Sequence, residues 1–393
     1  MSQPFGDIPL FRELQRILAS GEGPINLEVA RQIAGTVATQ TPDPSPTAEA
    51  SRALADATRK AEVLLVGYTR LQVDEPLRSK TMGRATWVLT ALEGWKWLLE
   101  GLAARFTQEL SKLGPEEGEA ANPMGQVMGQ IAPLLLGIQT GTVIGHLAND
   151  ALARHDPPIP FEDDGALFFV TSNMERVADE YDFDLDTFRG WLALHEAARQ
   201  VVLSSIPWVG RYLRGLLTGL VDAIEIDAGD MERRLIDLQE GGAEALQSGA
   251  ALEQVIPVAE TERYRHALKA LRSFLAVFEG YSEHAADAVT SSLLGDATRI
   301  DEGMARIRSS PSDGKALLAN VLGIERDRAL ETAGQTFCAA VVQMKGIAAL
   351  NRVWEAPDNL PSLDEIKDPF AWMERVLADD AADPTLGDGS TAR

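Results

Sequence analysis

The sequence predicts a mainly α-helical fold with at most minor β structure. Three observations carry that expectation. Apolar residues recur at helical spacing over long stretches, Ala48 to Val73, Thr81 to Leu113, Asp184 to Ile206, Glu260 to Leu294 and Ala316 to Ala349. Alternating apolar and polar runs of strand type are scarce, and ALFFVTSN (Ala166 to Asn173) is the best short strand candidate, though it could equally begin a helix. Breaks between the helical patterns fall on Gly and Pro, as at Gly21, Gly23 and Pro24.

In order, the first short helical patterns are Ile8 to Leu18 and Asn26 to Ile33, followed by TQTPDPSPTAEA. Three prolines among Thr, Ser and Asp make residues 39–47 a solvent-exposed linker, with Ser45 as N-cap of the next helix and Pro46 at its first position. The expected division is an N-terminal helical segment over 1–38, the linker, a helical domain over 48–378, and a small, acidic, disordered tail over 379–393. Thr81 to Leu113 holds Trp87, Trp95 and Trp97, which at that spacing read as core packing rather than a ligand wall. GPEEGEAANP ends that pattern as a loop.

Met124 to Leu147 contains no Asp, Glu, Lys or Arg, and Gly125, Gly129, Gly137, Gly141 and Gly145 are spaced by multiples of four. Length and small residues would suit a membrane helix. The glutamines and threonines, His146, Pro133 and the lack of flanking basic or aromatic belts favour a helix buried in the core. Beyond Trp208, Tyr212 to Asp227 and Met231 to Leu238 read as helices, the segment to Pro257 as a Gly/Ala linker, Ala305 to Lys315 as a loop, and Phe370, Trp372 and Val376 as anchors of a short final helix. No glycine-rich phosphate loop and no internal repeat is present.

A formal net charge of −23 argues against nucleic-acid or anionic-membrane partners, which require basic surfaces. The single cysteine, Cys338, lies in the apolar helical run TFCAAVVQM, which excludes an intramolecular disulfide and suggests a buried inert thiol. With no basic-then-apolar start in MSQPFGDIPLFREL, the expected location is cytoplasmic.

The clustered ionisable residues lie in DLDTFRGWLALHEAARQVVLSSIPW, Asp184 to Trp208. Asp184 or Asp186 suits an N-cap and Pro207 stops the helix after Ile206. Helical spacing puts Phe188, Leu192, His195 and Arg199 on one stripe, with Glu196 beside it. His195 and Glu196 begin the HExxH signature, in which two histidines four residues apart hold zinc and the glutamate is the general base. Position 199 is arginine, which has no lone pair to offer. A divalent ion about 4 Å from its charge would be opposed by roughly 8 kcal/mol at an effective dielectric of 20. A second cluster, FLAVFEGYSEHAADAV, brings Glu279, Glu283 and His284 near one helix face, as a third zinc ligand with an orienting neighbour or as a solvated acidic face. His155 and His266 sit among charged neighbours and read as solvated.

Several blocks together resemble the zincin-like metallopeptidase family, whose members are described as hydrolases or as associated with biosynthesis of a deazaflavin coenzyme. They are GPINLEVARQIA, LLGIQTGTVIGHLANDALARHD, LFFVTSNMERVADEYDFDLDTFRGWLALHE, IPWVGRYL, FLAVFEGYSEHAADAV and GIAALNRVWEAPDNLPSLDEIKDPFAWMERV, spanning Pro24 to Val376. The resemblance implies a multi-helical zincin-like fold, zinc as cofactor, a peptide substrate, His195 as first ligand, Glu196 as general base and Glu279 as third ligand. HEAAR in place of HExxH is the departure. Two site readings follow. Either Arg199 stands in for the metal and pairs with Glu196 or Glu279, or a shifted site of His195, Glu279 and His284 holds zinc while Glu196 polarises the bound water and Arg199 stabilises a developing oxyanion or a substrate carboxylate. A non-catalytic, partner-binding helical protein is the alternative to both.

Overall fold

Fifteen α-helices and one two-stranded parallel sheet account for the regular structure of the computed structural model, among its described residues 23–112, 123–227, 229–230, 233, 258–294, 297–309, 312–322 and 328–378. The expected helix Ile8 to Leu18, nearly all of Met231 to Leu238, the linker to Pro257, the loop from Gly114 and the tail from Asp379 lie outside them.

Helix α1 (Leu27–Ala38) begins where the Asn26 side chain accepts from Val29 N at 3.1 Å, and α2 (Ala48–Thr69) where Thr47 accepts from Ala50 N at 3.1 Å. The N-cap is therefore Thr47 and not Ser45. The Pro-rich stretch before it is tied down. Asp43 accepts from the backbone N–H of Arg84 and Ala85 at 3.0 and 3.1 Å, which satisfies the first donors of α3 (Arg84–Gly94).

Strand β1 (Ser79–Met82) pairs in parallel with β2 (Leu167–Val170), from Ser79 opposite Leu167 to Met82 opposite Val170. The expected strand is β2, buried on both faces as a run of Leu, Phe, Phe and Val allows. Its partner β1 breaks the continuous helix expected from Thr81. That pattern divides again at Trp95 into α3 and α4 (Lys96–Lys112). The division lets Trp87 and Trp95 meet edge-to-face at 5.6 Å, both buried, while the Trp95 indole N–H donates to Ile159 O at 3.2 Å.

Helix α5 (Pro123–Asp150) packs along α1. A Cβ at Gly141 would lie 2.7 Å from Ala30 O and one at Gly145 2.6 Å from Val37 Cβ, so these glycines are what let the two backbones approach. No described helix is long and apolar enough to cross a membrane. After β2 come α6 (Thr171–Tyr181), α7 (Leu185–Ser205), α8 (Val209–Asp222) and α9 (Glu262–Leu293). Helix α10 (Thr298–Ser309) and α11 (Asp313–Leu322) enter the segment expected as a loop, which is helical up to Ser309 and again from Asp313. Helices α12 (Arg328–Lys345), α13 (Ile347–Asn351), α14 (Leu363–Lys367) and α15 (Pro369–Leu377) complete the chain, with the Ser362–Glu365 capping box starting α14.

One apolar core runs from Ile25 to Val376, with Cys338 inside it. Helix α7 is its axis, lying against α2 and α9. Every residue from Gly190 to Val202 is buried. Such a helix is ordinarily apolar all round, so each ionisable group on it requires a partner.

Candidate functional site

Asp184 caps α7 by accepting from Thr187 N at 2.9 Å, which sets the phase of the helix. Phe188, Trp191 and Leu192 enter the core, and the next turn delivers His195, Glu196 and Arg199 at 3%, 3% and 6% exposure. Facing them is α9, where Glu279, Glu283 and Asp287 recur every four residues and so share one face.

Arg199 spans the gap. Its Nε and Nη2 both donate to Glu279 Oε2, at 2.9 and 2.7 Å, Nη2 also donates to Glu283 Oε1 at 3.1 Å, and Nη1 to the backbone carbonyl of His195 at 2.9 Å. Nη1 lies 3.9 Å from Glu196 Oε1. Burial alone would lower the pKa of this guanidinium, but Glu279, Glu283 and Glu196 raise it above its ordinary value. Glu283 carries a second cation, Arg308 Nη2 at 3.2 Å, and its Oε2 is 3.0 Å from His195 Nδ1. Burial works against ionisation, yet His195, Arg308 and Arg199 hold its carboxyl well below the usual range.

His195 stacks on Trp191 with centroids 3.9 Å apart. Its Nδ1 is close to Glu283 but out of line for a hydrogen bond, and neither ring nitrogen has a hydrogen-bond partner among the described residues. His195, Glu283 and Asp287 each place one potential donor atom within 4.8 Å of the others, among the described residues. Asp287 also accepts from Gln335 Nε2 at 2.8 Å, and burial raises its pKa.

The residues singled out in the sequence separate here. Glu279 meets Arg199. His284, one position on from Glu283 and therefore about 100° around the helix, presents Nε2 to Tyr68 of α2 at 2.8 Å. Glu283 and Asp287 stand on the site face in its place.

His155 is the residue that sequence reasoning missed, and its expected exposure is corrected. Its side chain is 8% exposed. Its Nδ1 and its backbone N–H both meet Glu196 Oε2, at 2.8 and 3.0 Å. Burial would raise the pKa of Glu196, but His155 and then Arg199 bring it below the ordinary value. The loop carrying His155 is anchored by its neighbour Arg154, which donates to both oxygens of Asp163 at 2.8 and 2.6 Å and to Ala166 O at 3.0 Å. Arg154 also lies over the Phe161 and Phe168 rings.

A partly open cavity of about 300 Å³ adjoins this network. His155, His195, Glu196 and Arg199 line its inner wall, Arg308 its α10 side, and Lys315 its mouth, where it pairs with Asp156 at 3.0 Å.

The sequence profile of the zincin-like metallopeptidase family matches residues 25–373. The chain belongs to the zincin-like metallopeptidase family. A solved structure from Chloroflexus aurantiacus, described as a candidate hydrolase with a novel fold, superposes with a TM-score of 0.63 at 25% identity, covering 89% of this chain and 98% of the other. No protein of curated function matches it.

The name of this zincin-like family implies zinc, and the donors present can be tested against it. A zincin's first ligand and base would be His195 and Glu196, but at the second ligand position Arg199 has no lone pair and is aimed at Glu279. Of the residues at the signature and third-ligand positions, His195 keeps both ring nitrogens without a hydrogen-bond partner among the described residues, whereas Glu196 is engaged through Oε2 by His155 and Glu279 through Oε2 by Arg199.

Proposed function

We propose that this zincin-like chain descends from a metal-dependent hydrolase and that its HEAAR site does not hold zinc, Arg199 supplying the positive charge in place of the ion. The observation that carries this reading is the guanidinium of Arg199 lodged between Glu279 and Glu283 with Glu196 alongside. One buried carboxylate, Glu196, and two part-buried ones, Glu279 and Glu283, converge on one point and call for a cation, and an arginine fixed by four short contacts supplies one without a metal. Glu196, the general base of a zinc site, is instead bound to His155. Zinc-dependent cleavage of peptides, the activity the family name suggests, is therefore lost in this chain.

The test is elemental analysis of protein purified without a metal-affinity column, for wild type, His195→Ala and Arg199→His. Wild type is expected to hold no stoichiometric zinc, and Arg199→His to gain about one equivalent by restoring the second histidine. About one zinc in wild type that His195→Ala removes would sink the reading. That outcome would favour a second one, a shifted site built on His195, Glu283 and Asp287, which their proximity supports. In that case Asp287→Asn would lose the ion.

A further inference from the structure

The network around Arg199 leaves two imidazoles unexplained. Buried polar atoms in a folded protein are nearly always hydrogen-bonded, so each orphan asks for a cause. Nε2 of His155 and Nε2 of His195 are both buried without a hydrogen-bond partner among the described residues, and both side chains line the same cavity. Of the two, His155 has the more defined chemistry. Glu196 Oε2 accepts from its backbone N–H and faces its Nδ1 at 2.8 Å, which places the ring proton on Nδ1 and leaves a lone pair on Nε2. A histidine held this way by a buried carboxylate is the arrangement that activates a nucleophile by general base catalysis, the carboxylate fixing the ring and stabilising the imidazolium as it forms. Cationic groups for a developing oxyanion line the same cavity. Arg308 lines the cavity and stands over the Trp191 ring at 5.6 Å, and Arg199 lies behind it.

We propose that this cavity is a metal-independent hydrolytic site for small acyl esters, with His155 as the catalytic base and Glu196 as its positioning residue. A water oxygen bonds to the ester carbonyl carbon while its proton passes to His155 Nε2, and the carbonyl oxygen becomes an oxyanion beside Arg308. The intermediate then collapses, the carbon–oxygen bond to the alcohol breaks, and the leaving oxygen takes the proton back from Nε2. Acid and alcohol are released with no redox change and no further reactant. The cavity volume, at the low end of the range for ligand pockets, sets the size of the substrate. With no metal to polarise the carbonyl, esters with good leaving groups react fastest.

The inference rests on the zinc-free reading only in that Glu196 is left to His155. The experiment is p-nitrophenyl acetate hydrolysis by the full chain in EDTA, with zinc content measured on the same sample so that the two can fail separately. Wild type is expected to turn over above the rate of an equal concentration of free imidazole. His155→Ala and His155→Gln are each expected to lose at least tenfold while remaining folded, with a lowered melting temperature because Glu196 loses its partner. Glu196→Gln is expected to lower kcat on the order of 10²-fold with little change in KM, which a merely structural role would not produce. Should both His155 variants fold poorly, mass-spectrometric mapping of diethyl pyrocarbonate adducts on wild type decides, and an adduct on His155 Nε2 is expected. The proposal is overturned by a wild-type rate no greater than imidazole, by hydrolysis that survives in a folded His155 variant, or by absence of the His155 adduct.

Discussion

Two buried arginines, Arg154 and Arg199, have nearly equal exposure, 7% and 6%, and quite different surroundings. Arg154 meets one carboxylate, Asp163, in a two-oxygen fork, spends a remaining N–H on the Ala166 carbonyl, and has the faces of Phe161 and Phe168 for the rest. Charge and hydrogen bonds balance within a single loop, as expected of an arginine that pins a chain. Arg199 has three carboxylates from two helices around it, with two imidazoles nearby whose Nε2 atoms are left without a hydrogen bond among the described residues. Such convergence exceeds what holding α7 against α9 requires. On the proposed reading it is the electrostatic imprint of a cation site, which a loop anchor does not leave.

That comparison can be broken by removing each arginine. Arg199→Ala leaves the part-buried Glu279 without its cation and takes one of three positive partners from Glu283, and is expected to cost about 3–5 kcal/mol in chemical denaturation. Arg154→Ala is expected to fall in the same range, so the loss alone does not separate the two. Replacement by histidine does. Zinc should raise the melting temperature of Arg199→His, by the equivalent of about 2.7 kcal/mol at a hundred times its dissociation constant, and leave Arg154→His unchanged. Equal responses to zinc would mean that Arg199 is a structural clamp like Arg154.

Acid titration sharpens the same contrast at smaller amplitude. Glu283 has a folded-state pKa well below its ordinary value of 4.5. Its contribution is present above that value and is lost as pH falls through the depressed one. Glu283→Gln should therefore flatten the fall in stability below about pH 4.5, and cost on the order of 1–3 kcal/mol at neutral pH by leaving Arg199 and Arg308 short of a partner. Measured melting temperatures from pH 2 to 7 check both, and an unchanged acid limb would show that Glu283 is not the carboxylate coupling these cations.

The course of α7 was legible in the sequence because its cap at Asp184 and its stop at Ile206 are local signals, and because HEAAR stands on a helix whose period fixes which residues share a face. The fold class was equally legible from periodicity. β1 was not, since Ser-Lys-Thr-Met carries no alternation and owes its strand conformation to β2, some 88 residues away by the Ser79–Leu167 register. On α9, helical spacing identified the acidic face, but whether His284 or Asp287 joins it depends on how the helix is rotated against α7, and that is set by tertiary packing. His155 was missed for a related reason. It lies in an irregular loop among charged residues, and its burial comes from Arg154 and Asp163 drawing that loop onto the core.

The smallest expected effect has the sharpest sign. Asp287 completes the trio with His195 and Glu283, but burial raises its folded-state pKa above the ordinary 3.8. A raised pKa means that the native state holds the proton more tightly than the unfolded chain. The stability linked to it is full below pH 3.8 and declines as pH rises through the folded value. Asn at this position still accepts from Gln335 through Oδ1 and never ionises, so Asp287→Asn is expected to raise the melting temperature at pH 7 only slightly, because solvent screens the exposed carboxylate, and to leave it unchanged near pH 3. A working metal ligand would give the opposite result, because its loss removes the stabilisation that bound zinc confers. A fall in the pH 7 melting temperature of Asp287→Asn, dependent on added zinc, would thus move the cation of this site from Arg199 to a metal.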